Sequence, residues 1–251
     1  LCDVIPYEWG PTALTAILPK DLLQKGPSEI ARELADSRVV DAIAGMEDFF
    51  WLLFRDERWE EILLYYSPSF GDLVGKNAKE IGEYFHTTPL KGMLEILRLE
   101  GEQMFSVLMM GKIKRGDHLE RIMSEENTGI VSDSISLAKD GPLSGVIWSP
   151  GSYGWIPHFL NTYAGEGKLL SLEEGIRRLT SLPAQRIGLT DRGLLRENHA
   201  ADIVVLDEKG LEETATLAHP AEYARGVEHV LCNGEMVLEH GAYTGARPGR
   251  V

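Results

Sequence analysis

The stretch Gly129-Ile-Val-Ser-Asp-Ser134 runs apolar and small residues straight into a carboxylate. Read as a strand, it delivers Asp133 at its carboxyl end, where parallel barrels and open α/β sheets assemble their active sites. A carboxylate in that place can ligate a cation or accept a proton from an attacking water. The competing reading is structural, because an aspartate just past a strand often caps its own turn by accepting backbone N–H groups. The segment that follows, residues 135–154, reads as a long loop rich in Gly, Pro and Ser, which is the composition of a pocket wall.

Other chemistries find less support. The histidines are His86, His118, His158, His199, His219, His229 and His240. No two of them stand at His-x-His or His-x3-His spacing, and Cys2 and Cys232 are far apart, so a metal site held by this chain alone is not expected. Gly-x-Ser-x-Gly is absent, and Gly151-Ser-Tyr-Gly154 reads only as a glycine-flanked turn. The run Gly71-Asp-Leu-Val-Gly-Lys76 lacks the spacing of a phosphate loop and the Ser or Thr that should follow its lysine.

The elements that must position Asp133 alternate between strands and helices up to about residue 190. Strands are expected at Leu1–Tyr7, at 59–66, at 104–110 and at Gly129–Ser134. Helices are expected from Pro27 to Glu47 (with Ser28 able to cap), over 75–85, 87–102 and 116–124, and as a pair over 154–164 and 171–188. Ser171 and Glu174 stand at capping-box spacing, and Gly188 is a natural stop. The last 60 or so residues change character. Ala201–Asp207 is a continuous β run, and Asn233-Gly234 between two further runs is a strong hairpin signal, since a type I′ turn needs positive φ twice.

With 251 residues, 43% hydrophobic and 25% charged, the chain can bury a sizeable core. A formal charge of 25 − 39 = −14 argues against nucleic acid or an anionic membrane as partner, because phosphate binding needs clustered Lys and Arg. Two separated cysteines give no disulfide framework and point to a reducing, cytoplasmic setting. No apolar run approaches the roughly 18 residues of a membrane span.

The carboxyl third carries a resemblance. "SLEEGIRRLTSLPAQRIGLTDRGLLRENHAADIVVLD" resembles the end of the metal-dependent amidohydrolases, where the last barrel helix leads into a small β domain through an Ala-Asp-Ile/Leu-Val-Val run. Arg196-Glu-Asn198 departs slightly from that pattern. "VEHVLCNGEMVLEHGAYTGARPGRV" resembles the N-acyl-D-amino-acid deacylase (D-aminoacylase) branch, and "DVIPY", "GIVSDS" and "SYGW" fit it in order.

The resemblance implies the carboxyl-terminal part of a TIM-like (β/α)8 barrel, contributing its last two strands with an inserted small subdomain, followed by a small β-sandwich-type domain. Residues 1–46 and 105–190 would belong to the barrel, 47–104 to the insertion and 191–251 to the β domain. Asp133 matches the family's last-strand aspartate, which ligates zinc and orients or deprotonates the nucleophilic water. Tyr7 falls where a tyrosine lies near the substrate carboxylate, and Ser152 and Tyr153 fall on a pocket-lining turn. The implied reaction is zinc-dependent deacylation of an N-acyl-D-amino acid, a small-molecule substrate. Hydrolysis of a cyclic amide, as in dihydropyrimidinase or allantoinase relatives, and a non-catalytic barrel remnant acting as a binding module are the alternatives.

Two departures stand out. Many members carry His-Pro-Arg before the aromatic-glycine turn, whereas here Ser149-Pro-Gly151 removes the arginine that could grip a carboxylate. The first six barrel strands, with their His-x-His, have no counterpart. Most zinc ligands are therefore expected outside this chain, which is expected to be inactive alone and to bind a missing amino-terminal half or itself. The opening Leu1, in strand-like sequence and without Met, fits a chain entered partway along.

Overall fold

A computed structural model describes residues 2–250, so Leu1 of the expected first strand and Val251 of the distinctive tail lie outside the described residues. The chain forms two compact units, one of Tyr7–Arg115 and one that joins the residues up to Pro6 to those from Gly116 onward. After β1 (Cys2–Val4), the first of these units runs through β2 (Trp9–Ala13), α1 (Lys20–Leu23), α2 (Pro27–Glu33), α3 (Ser37–Ala44) and α4 (Leu52–Arg55). It continues with β3 (Ile62–Tyr66), α5 (Ala78–Tyr84), α6 (Pro89–Glu100) and β4 (Leu108–Lys112). The chain then forms α7 (Gly116–Met123), β5 (Thr128–Ile130), α8 (Gly151–Tyr163), α9 (Leu172–Leu179) and α10 (Ser181–Arg186). It ends in β6 (Ile203–Leu206), β7 (Val227–Cys232), β8 (Glu235–Glu239) and β9 (Ala242–Tyr243).

In Tyr7–Arg115 an antiparallel sheet of order β2-β4-β3 packs with helices around one core that includes Leu14, Ile30, Leu64, Ile96 and Leu97. Helices α5 and α6 meet at glycines: a Cβ on Gly92 would stand 3.0 Å from the Gly82 Cα, so only glycine lets the two backbones touch. Asn77 begins α5 with a complete capping box, its side chain accepting the Glu80 N–H at 3.0 Å and Glu80 accepting the Asn77 N–H at 2.9 Å. Glu100 is buried because the loop after β3 satisfies it, with Ser69 donating from its backbone N–H (2.8 Å) and hydroxyl (2.9 Å) and Ser67 from its hydroxyl.

Three expectations for this stretch change. The helix expected from Pro27 to Glu47 breaks in two, because the Asp36 carboxylate accepts the Arg38 N–H and starts a new helix. Arg38, bonded to it also through its guanidinium, holds that carboxyl at about 2. Ser28 does not cap. Gly26 stands at that place, and the Ser28 hydroxyl bonds Glu102 instead. The strand expected over 104–110 is β4, displaced toward its carboxyl end because Gly101–Ser106 winds as a 3-10 helix. The compact unit also begins well before residue 47, since residues 14–43 contribute to its core.

In the other unit β1 and β5 pair in parallel across 126 residues of sequence, with Cys2 opposite Thr128 and Val4 opposite Ile130. Two arginines fasten the strand ends. Arg178 is 2% exposed and donates to the Met123 and Thr128 carbonyls and to Glu174 (2.6, 3.4 and 2.7 Å), while Arg186 bonds Asp3 and the Asn127 carbonyl. Hydrogen bonds from Arg177 first, and then from Arg178, hold the Glu174 carboxyl at about 2. Ser171 makes half of its expected capping box, accepting the Glu174 N–H at 3.2 Å, because the Glu174 side chain is spent on these arginines. Val4, Ile130, Phe159, Leu160 and Tyr163 form the core.

The carboxyl-terminal strands form one antiparallel sheet of order β6-β7-β8-β9, turned at Asn233-Gly234 with φ of 50° and 82°, as the hairpin signal required. A second sheet that would close a sandwich is not present among the described residues.

Candidate functional site

Strand β5 ends at Ile130, so Asp133 stands three residues past it, in extended chain rather than in the strand. The geometry bears on the capping reading of this residue. Its side chain is exposed, and among the described residues no hydrogen bond or ion pair reaches its carboxylate, so it caps no turn. Its φ is +46°, in the left-handed region that aspartate tolerates better than most residues and that costs about 1 kcal/mol or more. The carboxylate is left to solvent, beyond a parallel strand.

Beyond Asp133 the chain is tied down at Lys139. Its backbone N–H donates to the Tyr223 hydroxyl at 3.0 Å, and its ammonium pairs with Glu222 at 2.7 Å, which lowers the Glu222 pKa. The Tyr223 ring packs against Tyr153, centroid to centroid 5.5 Å. The loop after Asp133 and the first turn of α8 thus converge on one tyrosine.

Helix α8 begins at Gly151, so Gly151–Gly154 is helical and not the turn expected from its glycines. Ser149 organises the entry, its hydroxyl accepting the Gly151 N–H at 3.1 Å and its carbonyl the Ser152 N–H at 2.9 Å. The Ser152 and Tyr153 hydroxyl oxygens are both buried without a partner among the described residues. Burial, with a smaller contribution from Tyr223, pushes the Tyr153 hydroxyl up. An unmade hydrogen bond of this kind costs about 1–3 kcal/mol, so two side by side mark a place where a polar ligand atom would be welcome.

Both residues line an apolar cleft of about 1150 Å³, walled by Trp155, Leu160 and Ile176 on the helices and by Val204, Leu206 and Val230 on the sheet. Arg177 and Arg192 also reach it, but Arg177 is engaged by Glu174 and the Glu126 carbonyl, and Arg192 by Asp202 and Asn233. Neither replaces the arginine missing at Gly151. Asp133 is not among the residues lining this cleft, and Tyr7 opens the other compact unit, its carbonyl accepting from Lys114 at 3.4 Å. Of the expected residues in this unit, Ser152 and Tyr153 line the cleft and Asp133 does not.

The sequence reading did not find the bond network on the far side of α8. His158 contacts Glu213 and the Pro6 carbonyl, and Asn161 donates to the Leu211 carbonyl at 2.6 Å. These partners lie 50 or more residues apart, so no local pattern announces them.

Among the described residues, no three His, Cys, Asp or Glu side chains are grouped so as to hold a metal ion. No helix among them is long and apolar enough to cross a membrane. The amidohydrolase family profile matches residues 94–238, a span containing Asp133, Ser152 and Tyr153. The chain belongs to the amidohydrolase family.

Within that family the similar proteins are deacylases. N-acyl-D-aspartate deacylase of Alcaligenes xylosoxydans xylosoxydans is 42% identical over 134 residues, which are 53% of this chain and 25% of that protein. D-aminoacylase of the same organism is 40% identical over 102 residues, 41% of this chain and 21% of that protein. Among solved structures, D-aminoacylase superposes with a TM-score of 0.62 at 22% identity, covering 97% of this chain and 40% of that one. N-acyl-D-glutamate deacylase from Bordetella bronchiseptica, complexed with zinc and a phosphonate inhibitor, gives 0.60 at 20% identity, covering 94% and 39%. Another of these structures concerns the binuclear metal centre of D-aminoacylase. At such identity the superposition speaks to the mixed α/β amidohydrolase fold. The chain spans a quarter or less of the curated relatives in these matches, and about two fifths of the solved ones.

Proposed function

We propose that this chain is part of a zinc-dependent amidohydrolase that removes the acyl group from an N-acyl-D-amino acid. The observation that carries the reading is Asp133, an exposed carboxylate in left-handed backbone that no protein group satisfies, just past the parallel β1–β5 pair and inside the family match. Asp133 would accept a proton from the attacking water and return it to the leaving amine, the two tasks of a general base and acid in amide cleavage. The pair β1–β5 would be the last two strands of a (β/α)8 barrel, with Tyr7–Arg115 inserted between them. Ser152 and Tyr153 offer unpaired donors to a substrate oxygen, and Tyr7 is a further candidate for the substrate carboxylate.

The donor set of this chain does not fit a zinc site by itself. A catalytic zinc takes about three protein ligands, and Asp133 would supply one. We place the remaining ligands on polypeptide beyond these 251 residues. The surface supports an incomplete assembly. Leu195 is 81% exposed, Ile187 73% and Val204 55%, and β6 presents a free sheet edge beside the apolar cleft. Self-association would cover the same surface, and light scattering separates the two: self-association gives a multiple of this chain's mass without any addition, whereas an incomplete assembly gains mass only when the missing polypeptide is supplied.

The direct assay uses the full-length protein with N-acyl-D-amino acids (aspartate, glutamate and leucine derivatives) and with ring amides as competing substrates. The expected result is turnover of the linear D-substrates and a loss of about 10²–10⁴ in kcat for Asp133→Asn. Turnover of ring amides only, or an Asp133→Asn enzyme that keeps its kcat, overturns the reading.

A further inference from the structure

His158 lies midway along α8 and takes no part in the chemistry proposed above. Its two ring nitrogens face two acceptors: Nδ1 is 2.7 Å from a Glu213 carboxylate oxygen and Nε2 is 2.9 Å from the Pro6 carbonyl oxygen. A carbonyl only accepts, and so does an ionised carboxylate. A neutral imidazole carries one N–H and can satisfy one of them, leaving a lone pair pointed at the other. Only a ring holding both protons donates to both. The contact is sheltered, with the His158 side chain 24% and the Glu213 side chain 18% exposed, and a charge-assisted bond in such a place is about twice as strong as a neutral one.

The rest of the helix face is shaped for this contact. Residues 154, 158 and 161 recur at helical spacing and share one side of α8. At Gly154 a Cβ would stand 2.8 Å from the Glu213 Cγ, so glycine there lets the carboxylate lie close. At Asn161 the side-chain amide holds the Leu211 carbonyl. The segment 211–213 is thereby laid along the helix, and His158 is the member that also reaches the end of β1. The Tyr163 ring stands edge-on to the imidazole at 6.4 Å, and Glu213 faces it at Nδ1.

We infer that His158 is a positioning residue: a cationic clamp that fixes the carboxyl end of β1 and the segment 211–213 against α8, with no nitrogen left for a metal. The clamp stands on its own geometry. Only its purpose, to set Pro6 (the neighbour of Tyr7) against the helix whose first turn holds Ser152 and Tyr153, rests on the deacylase reading. Histidine is a common metal ligand in proteins, and this one is spent elsewhere.

Nitrogen-15 NMR of the histidines and amide hydrogen exchange on this chain test the clamp without any turnover, so the deacylase reading can fail while the clamp stands. Both His158 ring nitrogens are expected to show the nitrogen-15 shifts of hydrogen-bond donors, and added zinc is expected to leave those shifts unmoved. The Val131 amide, which donates to the Val4 carbonyl at the end of β1, reports the strand end. His158→Ala is expected to speed its exchange about tenfold, the equivalent of about 1.4 kcal/mol, and His158→Arg, a cation long enough to span the same acceptors, to restore it. Glu213→Ala should return the ring to a single N–H. A ring that donates through only one nitrogen, zinc-dependent shifts at His158, or an unchanged Val131 amide in His158→Ala overturns the clamp.

Discussion

The two compact units bury their apolar residues to very different degrees. Tyr7–Arg115 is the shorter one, yet it closes the larger core, with Leu64, Ile81, Met93 and Leu97 all fully sequestered. The other unit has a smaller core, keeps a cleft of about 1150 Å³ walled by apolar side chains and leaves β6, the sequence Ile203-Val-Val-Leu206, only partly covered. Both units leave some large apolar side chains exposed, Phe50 and Leu52 on the first and Ile187 and Leu195 on the second, but only the second combines them with a wide apolar cleft. The residues with chemical promise belong to the second.

Substitution should expose that difference. Leu64→Ala removes a side chain with no exposure and no neighbour free to collapse, and is expected to cost about 2–5 kcal/mol in denaturant unfolding. Val204→Asp, on the open face of the other unit, is expected to stay within about 0.5 kcal/mol for the chain alone, and to weaken capture of whatever covers the cleft. Equal costs at the two positions would break the contrast.

A polar anchor of the open unit gives a smaller effect. Arg178→Ala leaves the Met123 and Thr128 carbonyls and one bond of Glu174 unmet, with an expected cost of about 2–4 kcal/mol. The pH dependence sharpens it. The folded Glu174 carboxyl sits at about 2, below its ordinary value of 4.5, so the stability it provides is present above pH 4.5 and lost as pH falls toward 2. In Arg178→Ala that loss should shrink, though not vanish, because Arg177 is the larger cause. An acid profile identical to wild type would contradict the role given to Arg178.

How much of this was legible in the sequence follows the range of each interaction. Asn233-Gly234 is a local device, complete within two residues, and it forms as read; the Asn77–Glu80 capping box is as local, but only the helix it opens was read. The strand leading to Asp133 was legible in its own apolar run, whereas its place beside the first strand came only through the family resemblance. What stayed hidden is long-range or a matter of competition. Asp36 breaks a helix whose apolar spacing continues through it, and Glu174 abandons its cap for two arginines. His158 and Glu213 are 55 residues apart and meet only because Gly154 leaves room. The missing arginine at Gly151 was legible as a substitution, while the orphaned hydroxyls of Ser152 and Tyr153 needed coordinates.

The most direct measurement is zinc content and deacylase activity of these 251 residues alone, before and after supplying the polypeptide that the relatives carry in addition. The expected result is no zinc retained through dialysis and no turnover for the chain by itself, with both appearing on reconstitution and lost again in Asp133→Ala. One zinc held per isolated chain, with hydrolysis of an N-acyl-D-amino acid, would contradict the claim that Asp133 is a lone donor awaiting its partners.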